Sequence, residues 1–269
     1  NVSCVLTSNL SCASPTTANS SSITITVSSS VAPSVAISSS ATTICAGTAV
    51  SFTATPTNGG TAPAYQWKVN GANAGTNSNI FSSSALTNGQ KISCVLTSNL
   101  ACASPTTANS TSVTITVNPT PVLSSTLTPA AICSGDTFSY TPTSATGSSS
   151  FSWSRALVSG ISEVANASTG NISETLTNTT STPINVTYVI TTTANSCSNA
   201  GQSIVVTVNP TPLLSSTLTP TAICSGGTFS YTPTSVTTGS SFSWSRAAIV
   251  GINGNTGAGP TVGVVSEVL

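Results

Sequence analysis

The sequence contains no histidine and no methionine, and only four basic and four acidic side chains in 269 residues. A folded soluble chain ordinarily carries about 25% charged residues; here the figure is 3%. The net charge of zero excludes an electrostatic nucleic-acid binder, because phosphates demand Lys and Arg, and gives no steering toward an acidic membrane surface. No run reaches the roughly 18 apolar residues of a membrane-spanning helix. The eight cysteines include no Cys-x-x-Cys pair and have no histidine beside them, which argues against zinc. Calcium needs several carboxylates in one loop. This chain has one Asp, Asp136, and three scattered Glu, Glu163, Glu174 and Glu267. No cofactor or metal is expected. Catalysis is not expected either: no carboxylate pair is placed for acid–base work, and a serine nucleophile would find only Lys68 or Lys91 as a base.

Low charge also occurs in disordered chains, but those lack hydrophobic residues. This one is 38% hydrophobic, with Val, Ile, Phe and Trp at strand spacing between Ser, Thr and Asn. No basic segment followed by an apolar stretch opens the chain, and it reads as a piece of something longer.

Internal repeats set the organisation. CVLTSNLSCASPTTANS begins at Cys4 and returns at Cys94 with Ala101 in place of Ser11. NPTPVLSSTLTPAAICSGDTFSYTPTS begins at Asn118 and returns at Asn209 with few changes, continuing through FSWSRA at Phe151 and Phe242. Two module types of about 90 residues follow. Residues 1–30 are the C-terminal part of a type-one module, 31–118 a complete type one, 119–209 a complete type two and 210–269 the N-terminal part of a type two. The borders carry Pro33, Pro119, Pro121, Pro210 and Pro212. Proline stiffens short connections, so an extended string of beads is expected. The last copy departs from its twin after Ile252, where NGNTGAGPTVGVV replaces SEVANASTGNI, and resumes at Ser266-Glu267, the counterpart of Ser173-Glu174.

No segment shows helical periodicity. Short alternating runs bounded by Gly, Pro, Asn and Ser indicate an all-β sandwich. In 31–118, strands are predicted near 34–38, 49–54, 64–69, 80–83, 91–97 and 112–117. In 119–209 they are predicted near 137–141, 150–154, 174–177, 185–192 and 202–208. Alternation assigns to one core Val50, Phe52, Trp67, Ile92, Cys94, Leu96, Val113, Ile115 and Val117. It assigns to the other Phe138, Tyr140, Trp153, Val186, Tyr188, Ile190, Val206 and Val208. Trp67, Trp153 and Trp244, each on the third strand of its module, are expected as plugs between two sheets. Arg155 and Arg246 recur in Ser-Trp-Ser-Arg. They are read as strand-end charges paired with Glu174 and Glu267 rather than as carboxylate or glycan contacts.

YQWKVNG at Tyr65–Gly71 and LTNGQKISC at Leu86–Cys94 resemble the third strand and the turn into the sixth strand of an immunoglobulin-like domain. The usual second-strand cysteine is missing, with Phe52 near its place, so that family's inter-sheet disulfide has no normal position here. ICSG, SFSWSRA, VTYVITTTANSCS and VTVNPTP resemble the PKD-like repeats of large secreted Bacteroidota proteins, such as gliding-motility adhesins exported by type IX secretion. The resemblance implies a secreted or cell-surface, non-catalytic array whose partners are neighbouring modules of the same chain. A surface polysaccharide or abiotic surface, and the outer-membrane secretion or motility machinery through the full-length protein, are further partners it implies.

A secreted array should oxidise its cysteines. Cys133 and Cys197 are the pair of the type-two module, and alignment gives Cys45 and Cys102 as the type-one pair. Each bond would join the start of the second strand to the loop after the sixth, worth roughly 4 kcal/mol in the chain-entropy model. Cys94 is then left as a buried free thiol; the alternative, a Cys94–Cys102 hairpin bond, would strand Cys45. Cys4, Cys12 and Cys224 are expected to be free or orphaned. Three functions are compatible with these features: adhesin or stalk material, a subunit of an extracellular filament or sheath, and a carbohydrate-binding accessory of a secreted enzyme.

Overall fold

In a computed structural model, which describes residues 1–252, 257–261 (backbone only) and 263–269, the described residues form strands, turns and loops without a helix. The chain divides into two compact units, Asn1–Asn118 and Pro119–Leu269.

In the first unit, β1 (Val5–Thr7) and β2 (Thr17–Asn19) form an exposed hairpin. There follow β3 (Ser34–Ser39), β4 (Thr43–Cys45), β5 (Val50–Thr57), β6 (Ala64–Val69), β7 (Ala72–Ala74) and β8 (Ile80–Ser83). The unit closes with β9 (Lys91–Thr97), β10 (Thr107–Asn109), β11 (Val113–Thr114) and β12 (Thr116–Asn118). One sheet has the order β3-β5-β8; the other has β10-β9-β6-β7, with β11 also on β9. β4 pairs β12 in parallel. Along β5, Val50, Phe52 and Ala54 are buried and Ser51, Thr53 and Thr55 exposed. That period of two is what a strand with one face on a core imposes. Trp67 from β6 and Ile92, Cys94 and Leu96 from β9 meet that face. Phe52, Trp67 and Phe81 stack with ring centroids 5.8–6.3 Å apart. Each such buried side chain contributes about 2–3 kcal/mol.

In the second unit, β13 (Ile132–Cys133), β14 (Thr137–Tyr140), β15 (Ser150–Arg155), β16 (Asn166–Thr169) and β17 (Ile172–Thr175) come first. Then come β18 (Ile184–Ala194), β19 (Cys197–Ser198) and β20 (Gln202–Asn209). The sheet β13-β20-β18-β15-β16 faces the pair β14-β17. Phe138, Tyr140 and Ile172 from the pair meet Trp153, Val186, Tyr188, Ile190, Ile204, Val206 and Val208 from the sheet. The unit ends with β21 (Thr228–Tyr231), β22 (Phe242–Arg246), β23 (Gly257–Thr261) and β24 (Val265–Val268).

The sequence repeats are also repeats of register. Val5 faces Asn19 as Val95 faces Asn109. Phe138 faces Glu174 as Phe229 faces Glu267, and Arg155 faces Asn166 as Arg246 faces Gly257. Between the last two strands the copies differ: Asn166 and Glu174 are eight positions apart, Gly257 and Glu267 ten. The two added residues therefore fall between paired positions and leave the pairing intact, as a change in loop length can at low entropic cost. Residues 253–256 and 262 of that divergent stretch lie outside the described residues.

The predicted strands appear within a few residues of their expected bounds. Six short ones within 31–209 were not expected: β4, β7, β10, β13, β16 and β19.

Candidate functional site

The structure does not form the expected bonds Cys45–Cys102 and Cys133–Cys197. Cys102 and Cys133 are free thiols, while Cys45 and Cys197 are disulfide-bonded. The reason is topological. Cys45 lies opposite Asn118 in the parallel β4/β12 pair, at the end of the sandwich where the chain leaves. The carbonyl of Cys102 accepts the Val31 N–H at 3.0 Å, at the end where the chain enters. About ten residues of strand separate these ends, roughly 30 Å at 3.3 Å per residue. A disulfide requires Cα atoms within about 7 Å. In the second sandwich Cys133 lies opposite Asn209, while Cys197 follows the two-residue turn Asn195-Ser196 at the far end of β18. Cys4, Cys12, Cys94 and Cys224 are thiols. Burial pushes the Cys94 thiol up from its ordinary value, against a backbone hydrogen bond that acts the other way, so it packs as a hydrophobe.

The few charges are concentrated. Arg155, at the end of β15, is 2% exposed. Its Nε donates to Glu174 Oε2 at 3.0 Å and its Nη2 to Glu174 Oε1 at 3.2 Å, the bidentate fork that suits a guanidinium. Nη2 also donates to the Val164 carbonyl at 2.7 Å, and Nη1 to the Glu163 carbonyl at 3.4 Å. Glu174 further accepts the Tyr188 hydroxyl at 2.7 Å and the Asn166 amide at 2.7 Å. Burial raises the Glu174 carboxyl, but the hydrogen bonds from Arg155, Asn166 and Tyr188 outweigh it and hold the group below 4.5. Burial and the neighbouring carboxylate both push the Tyr188 hydroxyl well above its ordinary 10. Glu163 accepts the Thr177 N–H at 2.9 Å and the Ser162 hydroxyl at 2.7 Å; against burial, these keep it low.

The expected pairings with Glu174 and Glu267 are present. Arg246 repeats the fork on Glu267, at 2.8 and 2.9 Å. Both guanidiniums are spent inside their own module rather than offered to a ligand. Asp136 caps the turn after Cys133, its Oδ2 accepting the Cys133 N–H at 3.1 Å. Among the described residues no three Cys, Asp or Glu side chains cluster as a metal site would require.

Trp67 and Trp153 are buried in the two cores. Trp67 Nε1 donates to the Ser78 carbonyl at 2.9 Å; Trp153 Nε1 has no partner among the described residues. Trp244 is half-buried. With Phe229, Tyr231 and Val265 it lines a groove of ≈ 360 Å³. In the twin module Tyr188 of β18 fills that position, 5.3 Å from Phe138 and 5.7 Å from Trp153.

A second groove, of ≈ 390 Å³, lies where the second sandwich gives way to residues 210–269. The loop 178–181 forms one wall, and Thr211–Leu213 with Val236 and Thr237 the other. Buried Asn178 organises its wall: Nδ2 donates to the carbonyls of Thr182 and Val208, and Oδ1 accepts from Thr180. Leu213 N–H is held by Thr237 Oγ1, which donates to the Thr211 carbonyl. The proline-bearing connection is thus tied by hydrogen bonds. Hydrogen-bond arithmetic of this kind was not readable from the sequence, because Asn178 and Thr237 look like any other polar loop residue.

Residues 130–212 match the PKD-like domain family. No curated protein sequence matches the chain. It is similar to a three-domain immunoglobulin fragment of titin, at 13% identity and a TM-score of 0.38, covering 88% of this chain and 86% of that one. It is also similar to three N-terminal domains of the outer capsid protein Hoc of bacteriophage RB49, at 12% identity and a TM-score of 0.35, covering 88% and 70%. The eight N-terminal immunoglobulin domains of Down syndrome cell adhesion molecule give 12% identity and a TM-score of 0.35, covering 88% and 31%. The strand pairing and the two separate cores make the chain an all-β protein of sandwich modules, of which residues 130–212 match the PKD-like domain family.

Proposed function

We propose that this chain is a non-catalytic shaft segment of a large secreted cell-surface adhesin, of the kind used in gliding motility and exported by type IX secretion. In this reading 31–118 and 119–209 are complete modules, and 1–30 and 210–269 are parts of modules of the same two types. The observation that carries it is the repetition of strand register across copies, together with the spending of both Arg155 and Arg246 on a carboxylate of their own module. A chain that reproduces a scaffold copy after copy, and turns Ser and Thr outward along strands such as β5 and β14, is built for length and for neutral contact.

Neutral hydroxyl faces are weakly sensitive to ionic strength, because salt screens only charges. Beads coated with the chain should therefore hold a polysaccharide or abiotic surface about equally at 0.1 and 1 M NaCl. Attachment abolished by moderate salt would overturn the neutral-contact mechanism. In electron micrographs the full-length protein should appear as single threads; ordered lateral bundles would favour a filament instead.

A further inference from the structure

Residues 210–269 repeat the strand pairs that open the sandwich of 119–209, and they leave one edge of β22 uncovered. β22 pairs β23 along its first edge, as β15 pairs β16 in the twin. Along its second edge β15 carries β18, with Trp153 facing Ile190 and Arg155 facing Tyr188. Among the described residues no strand pairs with the second edge of β22. Such an edge offers a row of N–H and C=O groups to an extended chain. The groove of ≈ 360 Å³ is lined by Phe229, Trp244 and Glu267, and its volume falls in the range of ligand sites. By register these are the counterparts of Phe138, Trp153 and Glu174, which hold the ring and the hydroxyl of Tyr188. The missing ring leaves its mark on the ion pair. The side chains of Arg155 and Glu174 are 0% and 10% exposed, those of Arg246 and Glu267 15% and 21%. Glu174 accepts from Tyr188 and Asn166 besides Arg155, whereas Glu267 accepts the two bonds of Arg246. A carboxylate has about four lone-pair sites, so Glu267 has room for a hydroxyl donor.

We infer that residues 210–269 are a strand acceptor: the open edge of β22 and the groove beside it take up one extended polypeptide segment that alternates apolar residues, carries a tyrosine and is presented by a further type-two repeat. The segment joins the sheet as β18 does in the twin. Main-chain hydrogen bonds to β22 hold it, and the tyrosine sets its register, with the ring against Phe229 and Trp244 and the hydroxyl on Glu267. A folded second copy of this chain is not the donor, because its β18 is already hydrogen-bonded on both edges, to β15 and to β20. The donor is a repeat whose strand of the β18 type is unpaired. The inference is independent of what the array adheres to.

Calorimetric titration of the intact chain with a synthetic peptide of residues 184–194, INVTYVITTTA, tests it, with amide hydrogen exchange to locate the peptide. The expected result is saturable binding at a single site and slowed exchange within Phe242–Arg246. A peptide carrying Tyr188→Phe keeps the ring and loses the hydroxyl, and its affinity should fall about tenfold, as for a lost hydrogen bond to a charged group. The same residues in scrambled order should not bind. The inference is overturned if the native peptide does not bind, if the Tyr188→Phe peptide binds equally well, or if protection appears in 119–209 instead of 242–246. It is also overturned if the chain alone self-associates in a way that blocks the peptide, since a second copy is then the occupant.

Discussion

Arg155 is charged, buried and fully engaged, an unusual residue in a chain with so few charges. Removing one partner of a buried pair strands the other, which typically costs about 3–5 kcal/mol. Arg155→Met should therefore lower stability by about that amount in urea unfolding, while Arg155→Met combined with Glu174→Leu recovers most of it. If the single variant loses less than about 1 kcal/mol, the network is ornamental. The same network sets a pH dependence. Glu174 is held below 4.5, so its stabilisation is fully present above that value and disappears as pH falls through the lowered folded value. Tyr188 is pushed above 10, so its contribution is present below pH 10 and is lost as pH rises further. Midpoints measured across pH should show a plateau with an acid and an alkaline limb. Glu174→Gln should lower the plateau and flatten both limbs; limbs unchanged by that substitution would assign them to other groups. The pairing of Arg155 with Glu174 was legible, because Ser-Trp-Ser-Arg and Ser-Glu recur together. Its burial was not: strand alternation gives the facing of a side chain but not what lies above it. Nor did the sequence indicate that the hydroxyl of Tyr188, read as a core ring, would complete the pair.

At the scale of the element, the chain's turns are as informative as its strands. Between β6 and β7, Asn70 and Gly71 have φ of 52° and 84°, flanked by the Val69–Ala72 pair. A two-residue hairpin loop with both φ positive is the type I′ turn, whose twist matches that of the strands it joins. A Cβ on Gly71 would meet nothing within 4 Å, so the cost of Gly71→Ala is conformational alone, about 1 kcal/mol. A lower thermal midpoint with an unchanged strand spectrum is expected; no change in midpoint would mean that the turn can relax into another type. Asn-Gly here was visible in the sequence as YQWKVNG, yet β7 was not, since three residues of Ala and Asn carry no strand signal. β4, Thr-Ile-Cys, was missed because three residues are too few to show an alternation, and that omission mattered. Its parallel pairing with β12 is what puts Cys45 at the exit pole. Without it, the order of the cysteines along the chain does not reveal which end of the sandwich each occupies, and pairing within a module looks natural.

For the whole molecule, the fold class was the most legible property, because repeats and two-residue alternation report it many times over. The register of each repeat followed from the same redundancy. The positions of the cysteines did not, since they depend on which short strands meet at each end of a sandwich. An array of independently cored sandwiches should yield under load one module at a time. Force spectroscopy on the single chain, pulled from its two ends, tests that claim most directly. With the disulfides reduced, two separate unfolding steps are predicted, each releasing roughly 300 Å for about 90 residues at 3.3–3.6 Å apiece. Featureless extension of the reduced chain, or a single step releasing both lengths together, would contradict the account.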